Sequence, residues 1–152
     1  VGKLKESFYI AAVREYEKRL KGYCKLTLLE LPEEKLPNAP SQAQINAALE
    51  KEAQAIFSKL PKRATLVALC IEGKELSSEQ LAQKFQQWAT SGVSAIALVI
   101  GSSYGLHPLV KQQAALRLSM SPMTFPHHLA RVMLLEQVYR AFKINEGSLY
   151  HK

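Results

Sequence analysis

Hydrophobic and polar positions along the chain alternate between a helical period and short apolar runs, which predicts helices and strands in turn. Two of the helical segments open with a capping box, in which a serine is followed three residues later by glutamine. Helices are therefore predicted over 4–20, from Ser41 (with Gln44) to about Leu60, from Ser77 (with Gln80) to Gly92, over 108–116, and from Pro126 to about Ile144.

Strands are predicted where apolar runs lie between these helices. The run "VSAIALVIG" shows no polar alternation, which is typical of a strand covered on both faces in a parallel sheet. Gly73 is expected to end the second run. The predicted strands cover 25–31, 64–72, 93–101 and 117–121. The pattern as a whole predicts a single α/β domain over 1–152, with a mostly parallel sheet flanked by helices.

The charge of the chain and its cysteines indicate which class of partner and which cellular compartment to expect. The chain has 20 Lys and Arg against 13 Asp and Glu, a formal net charge of +7, which favours a polyanionic partner. The longest apolar run, 95–100, is too short to span a bilayer, and no signal-peptide pattern opens the chain, so no membrane partner is expected. Cys24 and Cys70 lack CxxC spacing, which favours reduced thiols in a cytoplasmic protein over a single disulfide.

Candidate ligand loops follow the predicted strands, because open α/β sheets bind ligands at the carboxyl ends of their strands. These loops are "EGKE", "GSSYGLHP" and "MSPMTFPHH". The second has G-x-x-x-G spacing, so it is neither a dinucleotide fingerprint nor a P-loop, and a plain strand-to-helix turn is the alternative. The third offers backbone amides, thioethers and a ring that lies between Pro122 and Pro126, which suits a flat, mostly neutral heterocycle. The alternative is that Met120, Met123 and Phe125 fill the core.

The sequence predicts neither a metal site nor a nucleophilic one. His127 and His128 are adjacent, so on a helix their side chains diverge by about 100°. The other histidines and the cysteines have no ligand-like spacing. No G-x-S-x-G elbow or cysteine–histidine signature is present.

The last predicted helix is apolar around nearly its full circumference. Its one polar stripe contains Glu136, Arg140 and Lys143, with Glu136 and Arg140 paired at i, i+4. Arg131 lies on the opposite, apolar side, where it either contacts a buried acceptor or an anionic ligand, or extends its head group to water. A helix of this kind needs more cover than one small sheet gives, which predicts a partner subunit.

Three stretches carry a resemblance to a known family: "VIGSSYGL", "LSMSPMTFPHHLARVMLLEQVYRAFKI" and the closing "EGSLYHK". They resemble the RlmH family of bacterial 23S rRNA pseudouridine N3-methyltransferases, which belongs to the SPOUT class of knotted methyltransferases. The resemblance extends over essentially the whole chain and is most specific in its C-terminal third.

The resemblance implies a fold, a cofactor and a substrate. The fold is a homodimer in which each C-terminal segment forms a deep trefoil knot. The substrate is a pseudouridine in the intersubunit-bridge stem-loop of 23S rRNA, within assembled ribosomes. The cofactor is S-adenosyl-L-methionine, held in a bent shape by three knot loops. Matching motifs place its binding residues at Leu69, at Gly101, and at Met120, Ser121, Pro122, Met123, Thr124 and Phe125.

The same resemblance assigns the reaction to the C-terminal residues. His151 becomes the candidate base or substrate-orienting group, and Tyr150 is expected to stack on the substrate base or hydrogen-bond to it. Arg140 and Arg131 are expected to hold phosphate or to stabilise developing negative charge. Without the resemblance, the closing residues are interpreted as a frayed tail.

Two departures from the family pattern define the alternatives. The family usually has Gly-Gly after the third strand, whereas Ser102 follows Gly101 here, and a positive φ at this position would strain the serine and weaken cofactor binding. The family also opens with Met and a short apolar strand before "VGKLK", so the first strand is expected to be truncated.

Two alternative functions are considered. One is a non-catalytic ribosome- or RNA-binding relative. The other is a nicotinamide-dependent oxidoreductase, which the missing G-x-G-x-x-G disfavours.

Overall fold

Three parallel strands form the sheet in the computed structural model of the protein, which describes residues 1–150. The elements are β1 (Thr65–Glu75), β2 (Ile96–Ile100) and β3 (Leu116–Ser119), with α1 (Ser7–Leu20), α2 (Gln42–Lys59), α3 (Ser78–Thr90), α4 (Pro108–Gln113) and α5 (His127–Asn145). The strand order is β2-β1-β3, and both pairings are parallel. This confirms the predicted α/β class and the parallel sheet.

The helix boundaries follow from local chemistry. At the start of α2, the Ser41 hydroxyl accepts a hydrogen bond from the Gln44 backbone N–H at 3.2 Å, and the Gln44 side chain accepts one from the Ser41 N–H at 2.8 Å. The second predicted capping box has the same pair of bonds at the start of α3. Gly92 follows α3 with a φ of 84°, a left-handed conformation that favours glycine. Both capping boxes are therefore confirmed.

The described chain divides into two compact units. The first contains the sheet with α2 and α4, and comprises 1–3, 30–75 and 95–127. Its core includes Ala53, Ile56, Leu66, Ala68, Leu106 and Val110. The second contains α1, α3 and α5, and comprises 4–29, 76–94 and the described residues from His128 onward. Its buried apolar residues are Val13, Leu20, Leu81, Ala82, Phe85, Ala130, Leu134, Leu135, Val138 and Ala141. The single domain over 1–152 stays a prediction.

The most apolar run of the sequence is not the most buried strand. All residues of β2 are half-buried, whereas Val67 and Ala68 of β1 are 1% and 0% exposed. β2 lies at one edge of the sheet and β1 lies between its two neighbours. The prediction that the run 93–101 is fully covered is therefore wrong, because hydropathy does not reveal which strand takes the central position.

The predicted strand over 25–31 is wrong. This segment is irregular, with half-buried and exposed residues in near alternation. The Gly2 N–H donates to the Leu31 carbonyl at 2.8 Å, but no β-ladder forms along the segment. An alternating pattern makes a strand only where a neighbouring strand supplies hydrogen bonds along its length.

β1 does not end at Gly73, as the sequence predicts. It pairs with β3 on both sides of a bulge, so that Leu69 and Lys74 both lie opposite Leu118. The bulge presses against the backbone of β3, and a Cβ on Gly73 would lie 2.7 Å from the carbonyl oxygen of Arg117. A glycine inside a strand is typical of such a bulge with a close backbone approach.

Gly73→Ala is expected to destabilise the protein by about 1–3 kcal/mol, because the new methyl group forces the backbones of β1 and β3 apart. Urea denaturation should show a lower midpoint with an unchanged m-value. Gly22→Ala is the matched control, because no atom lies within 4 Å of a Cβ built there. Equal midpoints for the two variants would show that the bulge accommodates a side chain.

Candidate active site

The three predicted cofactor segments meet at the carboxyl edge of the sheet. Leu69 is the last residue of β1 before the bulge, and it lies opposite Ile100 of β2 and Leu118 of β3. Gly101 follows Ile100 directly, and Met120 follows the last residue of β3. Because all three strands are parallel, the segments at Leu69, Gly101 and Met120 lie at the edge where open α/β sheets bind ligands.

The segment after β2 is a tight loop that folds back on Gly101. Ser102 and Gly105 form an antiparallel bridge, in which the Gly105 N–H donates to the Ser102 carbonyl at 2.9 Å. A Cβ on Gly101 would lie 2.2 Å from the carbonyl oxygen of Gly105. Gly105 itself has a φ of 85°. Glycine is therefore required at 101 by a close backbone approach.

Ser102 does not carry the strain considered from the sequence. Among the described residues, Arg63 is the one non-glycine residue with a positive φ. Ser102 therefore has an ordinary backbone conformation. Backbone strain at Ser102 therefore gives no support to a non-catalytic relative with weakened cofactor binding.

Two carboxylates hold this loop. The Ser102 hydroxyl donates to Oε2 of Glu52 at 2.8 Å, and Oε1 of Glu52 accepts from the Glu34 backbone N–H at 2.9 Å. Oε1 of Glu33 accepts from the Ser103 backbone N–H at 3.1 Å. Helix α2 and the segment before it therefore bind two consecutive residues of the loop.

The third loop is exposed at its centre. Met123 is 71% exposed, so the alternative that this residue fills the core is wrong. Met120 and Phe125 are half-buried. The Ser121 hydroxyl accepts from the Met123 N–H at 3.0 Å, and the Ser119 hydroxyl donates to the Ser121 carbonyl at 3.2 Å. Local hydrogen bonds thus shape the loop from within.

The chemistry of this loop fits the adenosine end of S-adenosyl-L-methionine. Residues 120–125 contain no charged side chain, and Pro122, Met123 and Thr124 are all exposed. Exposed apolar side chains beside backbone N–H and carbonyl groups suit a flat ring that has both donors and acceptors. A loop without lysine or glycine is a poor binder of a phosphate chain. The residues present therefore fit the implied cofactor.

Cys70, in the β1 bulge, is not an activated nucleophile. Burial raises the pKa of its thiol, and the Glu72 carboxylate raises it further. Lys111 forms an ion pair with Glu72 and donates a hydrogen bond to its carboxylate. This hydrogen bond is the main cause of the lowered pKa of Glu72. A thiol with a raised pKa is mostly protonated at neutral pH and is therefore weakly nucleophilic. Both Cys24 and Cys70 are free thiols, as predicted.

A second group of predicted residues lies around Glu136 of α5. Its Oε1 accepts from Arg140 at 2.7 Å for Nη2 and 2.9 Å for Nε, which confirms the predicted i, i+4 pair. Its Oε2 accepts from the Tyr150 hydroxyl at 3.1 Å. Glu136 also acts on Tyr16 of α1, since a hydrogen bond to this carboxylate is one cause of the raised pKa of Tyr16. We call Tyr16, Glu136, Arg140 and Tyr150 the Glu136 cluster.

The Glu136 cluster combines a guanidinium with aromatic rings. The Arg140 guanidinium carbon lies 4.8 Å from the centre of the Tyr150 ring. Tyr139 contacts the same ring edge-on, with the two ring centres 5.1 Å apart. Arginine and tyrosine side chains in contact are suited to binding phosphate and stacking on nucleobases. The structure thus brings together Tyr150 and Arg140, two of the residues assigned to the substrate.

The contribution of Tyr16 to protein stability is expected to be lost as the pH rises from 10 to about 12. Burial, and then its hydrogen bond to Glu136, raise the pKa of Tyr16 from 10.0 to about 12. The folded state therefore keeps this proton after the unfolded chain has lost it, so the contribution is complete below pH 10 and is lost as the pH rises to about 12. In the Tyr16→Phe variant, the free energy of unfolding measured by urea denaturation should fall less steeply with pH in this range. Tyr104→Phe, at an exposed site, is the control, and identical slopes for both variants would contradict the raised pKa of Tyr16.

The remaining predicted residues are not part of this group. Arg131 is half-buried in α5 and lies about 13 Å from Arg140 along the helix axis, so both interpretations of Arg131 stay open. His151 lies outside the described residues. Nδ1 of His128 is 3.5 Å from a carboxylate oxygen of Glu6. Within residues 1–150, no three His, Cys, Asp or Glu side chains form a group that would hold a metal ion.

Sequence reasoning missed the residues that hold these groups in place. Glu52 carries the clearest signal, because it lies on the buried face of α2 with Ala48, Leu49, Ala53 and Ile56. A carboxylate at a position where the helical period predicts an apolar side chain marks a group that needs a polar partner. Tyr16 and Glu33 carry no comparable signal, since their partners lie far away in the sequence.

Comparison with known proteins gives one whole-chain finding. A family model described as "Predicted SPOUT methyltransferase" matches residues 1–151. The matched span includes every helix and strand of the structure, the loops that follow Leu69, Gly101 and β3, and the Glu136 cluster.

No helix in the described part of the chain has the length and hydropathy needed to cross a membrane.

Proposed function

The chain belongs to the SPOUT methyltransferase family, and from this premise we propose that it transfers a methyl group from S-adenosyl-L-methionine to RNA. Membership of the family removes the nicotinamide-dependent oxidoreductase from the alternatives. The observation that supports a cofactor site most directly is the sheet register, which aligns Leu69 with Ile100 and Leu118. The loop of Gly101 and the loop 120–125 start beside that point.

The proposed cofactor site consists of these loops. Bound S-adenosyl-L-methionine would supply a methyl group that its sulfonium makes electrophilic. The loop 120–125 would hold the adenine ring between apolar side chains and backbone groups, and Leu69 and Gly101 would complete the site. Much of the acceleration would come from orientation, because the methyl group needs no further activation.

We propose 23S rRNA in the assembled ribosome as the substrate, and N3 of a pseudouridine in the intersubunit-bridge stem-loop as the acceptor. The support is the resemblance of the C-terminal third to the RlmH family, together with the net charge of +7, which suits a polyanion. A ribosomal substrate also implies a cytoplasmic location.

The proposed mechanism assigns the reaction to residues of the C-terminal third. His151 accepts the N3 proton, since a neutral imidazole is a suitable base near pH 7, or it orients the substrate. Tyr150 stacks on the substrate base or hydrogen-bonds to it. Arg140 stabilises the negative charge that develops as the proton leaves, and Arg131 binds a phosphate of the RNA. Glu136 orients Arg140 and Tyr150 through the hydrogen bonds described above.

A homodimer with a C-terminal trefoil knot is part of the proposal. The support in the second unit is apolar surface that the described residues 1–150 leave exposed. Phe8 is 64% exposed and Leu149 is 81% exposed, while Val132 and Met133 of α5 are only half-buried. Apolar surface of this kind is typical of subunit interfaces. Light scattering coupled to size-exclusion chromatography should give twice the chain mass of 17.0 kDa.

The reaction is tested with ribosomes from a strain that lacks this methyl group. They are incubated with the protein and S-adenosyl-L-methionine, and the rRNA fragment that contains the bridge pseudouridines is analysed by mass spectrometry. One added methyl at N3 of a single pseudouridine is the expected result. Reactions without cofactor, and with rRNA freed of ribosomal protein, are the controls.

Three other outcomes would contradict parts of the proposal. A methyl group at another position would reject the pseudouridine but keep the methyltransferase. Binding of S-adenosyl-L-methionine without any transfer to the ribosome would reject the ribosomal substrate. Neither transfer nor binding would favour the non-catalytic relative.

A further inference from the structure

We propose that Glu52 is a positioning residue for the cofactor, which acts by holding Ser102 and thereby the shape of the loop 101–105. The inference rests on the proposed function, because it assigns this loop to S-adenosyl-L-methionine. It adds a residue on α2 that lies outside the three cofactor segments themselves.

Both carboxylate oxygens of Glu52 accept a hydrogen bond. Glu52 is 5% exposed and Ser102 is 8% exposed, and the hydroxyl of Ser102 donates to Oε2 at 2.8 Å. The second oxygen accepts from the Glu34 N–H at 2.9 Å. Rotation of the carboxylate would break one of these bonds inside the core, where an unpaired polar group is costly.

The constraint passes from Ser102 to the rest of the loop. The Ser102 carbonyl accepts from the Gly105 N–H at 2.9 Å, and Gly105 in turn packs against Gly101. A displacement of Ser102 therefore moves the backbone that returns past Gly101. In this chain the Ser102–Glu52 hydrogen bond restrains the loop.

A purely structural role explains Glu52 poorly. Its neighbours on the buried face of α2 are apolar, namely Ala48, Leu49, Ala53 and Ile56. An apolar side chain at this position would avoid the cost of desolvating a carboxylate. What the carboxylate offers instead is two directional hydrogen bonds, one of which ends on the candidate cofactor loop.

The test compares Glu52→Ala, Ser102→Ala and the double variant with the wild-type protein. Alanine is used at 52 because a glutamine could still accept from the Glu34 N–H and donate to the Ser102 hydroxyl. Glu50→Ala is the matched control, because Glu50 is exposed on the same helix. Affinity for S-adenosyl-L-methionine is measured by calorimetry at a temperature where circular dichroism shows every variant folded. We expect each single variant to bind about tenfold more weakly, the change that corresponds to 1.4 kcal/mol. The double variant should bind S-adenosyl-L-methionine no more weakly than the single variant with the lower affinity, because both substitutions remove the same hydrogen bond.

Steady-state kinetics give a second measurement. The single variants should raise KM for S-adenosyl-L-methionine and leave kcat at saturating cofactor nearly unchanged, because the chemistry lies elsewhere. Unchanged affinity in folded variants with lower melting temperatures would overturn the proposal and leave Glu52 a structural residue. Additive losses in the double variant would also overturn it. A wild-type protein that does not bind the cofactor would instead reject the proposed function, and the inference with it.

Discussion

Replacement of Gly101 by alanine is expected to weaken binding of S-adenosyl-L-methionine by about 100-fold or more. A Cβ on this residue would lie 2.2 Å from the carbonyl oxygen of Gly105 and 2.4 Å from its carbonyl carbon. Both atoms belong to the backbone, so no side-chain rotation relieves the overlap. The loop must open, and the segment proposed to complete the cofactor site moves with it.

Gly22→Ala provides the control for Gly101→Ala, since the added methyl group meets no atom within 4 Å. Calorimetric titration with S-adenosyl-L-methionine should show wild-type affinity for the control. Circular dichroism would establish that Gly101→Ala still folds before its affinity is interpreted. A folded Gly101→Ala protein with wild-type affinity would show that the loop 101–105 does not contribute to the site.

Arg140→Ala is expected to lower kcat/KM for ribosome methylation by about 100- to 1,000-fold while affinity for S-adenosyl-L-methionine stays unchanged. The guanidinium is held by Glu136 at 2.7 Å and lies 4.8 Å from the Tyr150 ring centre. A cation already fixed in place stabilises developing charge without reorganisation, and removal of one such group typically costs this factor. Radioactive methyl transfer to ribosomes measures the rate, and calorimetry measures cofactor affinity.

Two comparisons make the Arg140 result specific. Arg140→Lys keeps the charge but loses the planar pair of donors, and it should restore only a small part of the activity. Arg14→Ala removes an exposed arginine from α1 and should reduce the rate only slightly. Equal losses for Arg14→Ala and Arg140→Ala would reduce Arg140 to a general contributor of positive charge. A parallel loss of cofactor affinity would assign it a structural role.

Local features of the fold were predictable from the sequence. The capping boxes at Ser41 and Ser77 depend on residues three positions apart, and the i, i+4 pair of Glu136 and Arg140 depends on one helical turn. The meeting of Gly101 and the loop 120–125 at one sheet edge follows from parallel strands, which a βα alternation predicts. In each case the deciding interaction lies within one element or follows from a general rule of topology.

The wrong predictions involve partners that are distant in sequence. The segment 25–31 has a strand-like pattern, but a strand requires a neighbour that the pattern does not contain. The pattern predicts a strand end at Gly73, because a glycine bulge and a strand end have the same local sequence and differ only in whether β3 packs against the glycine. The hydrogen bond between Glu52 and Ser102 joins residues 50 positions apart. Spacing along the chain cannot predict such a pair, although a carboxylate on an apolar helix face indicates that one exists.

The carboxylate contacts of the loop 101–105 have a consequence for protein engineering. The loop is short, and its sequence alone gives no sign that it depends on other parts of the chain. Its conformation, however, depends on Glu33 and Glu52, which lie 70 and 50 residues earlier. A chimaera that receives "GSSYG" without these two acceptors would contain the sequence of the loop but not its shape. The transferable module is therefore discontinuous, and an exchange between homologues should include α2 and the segment before it.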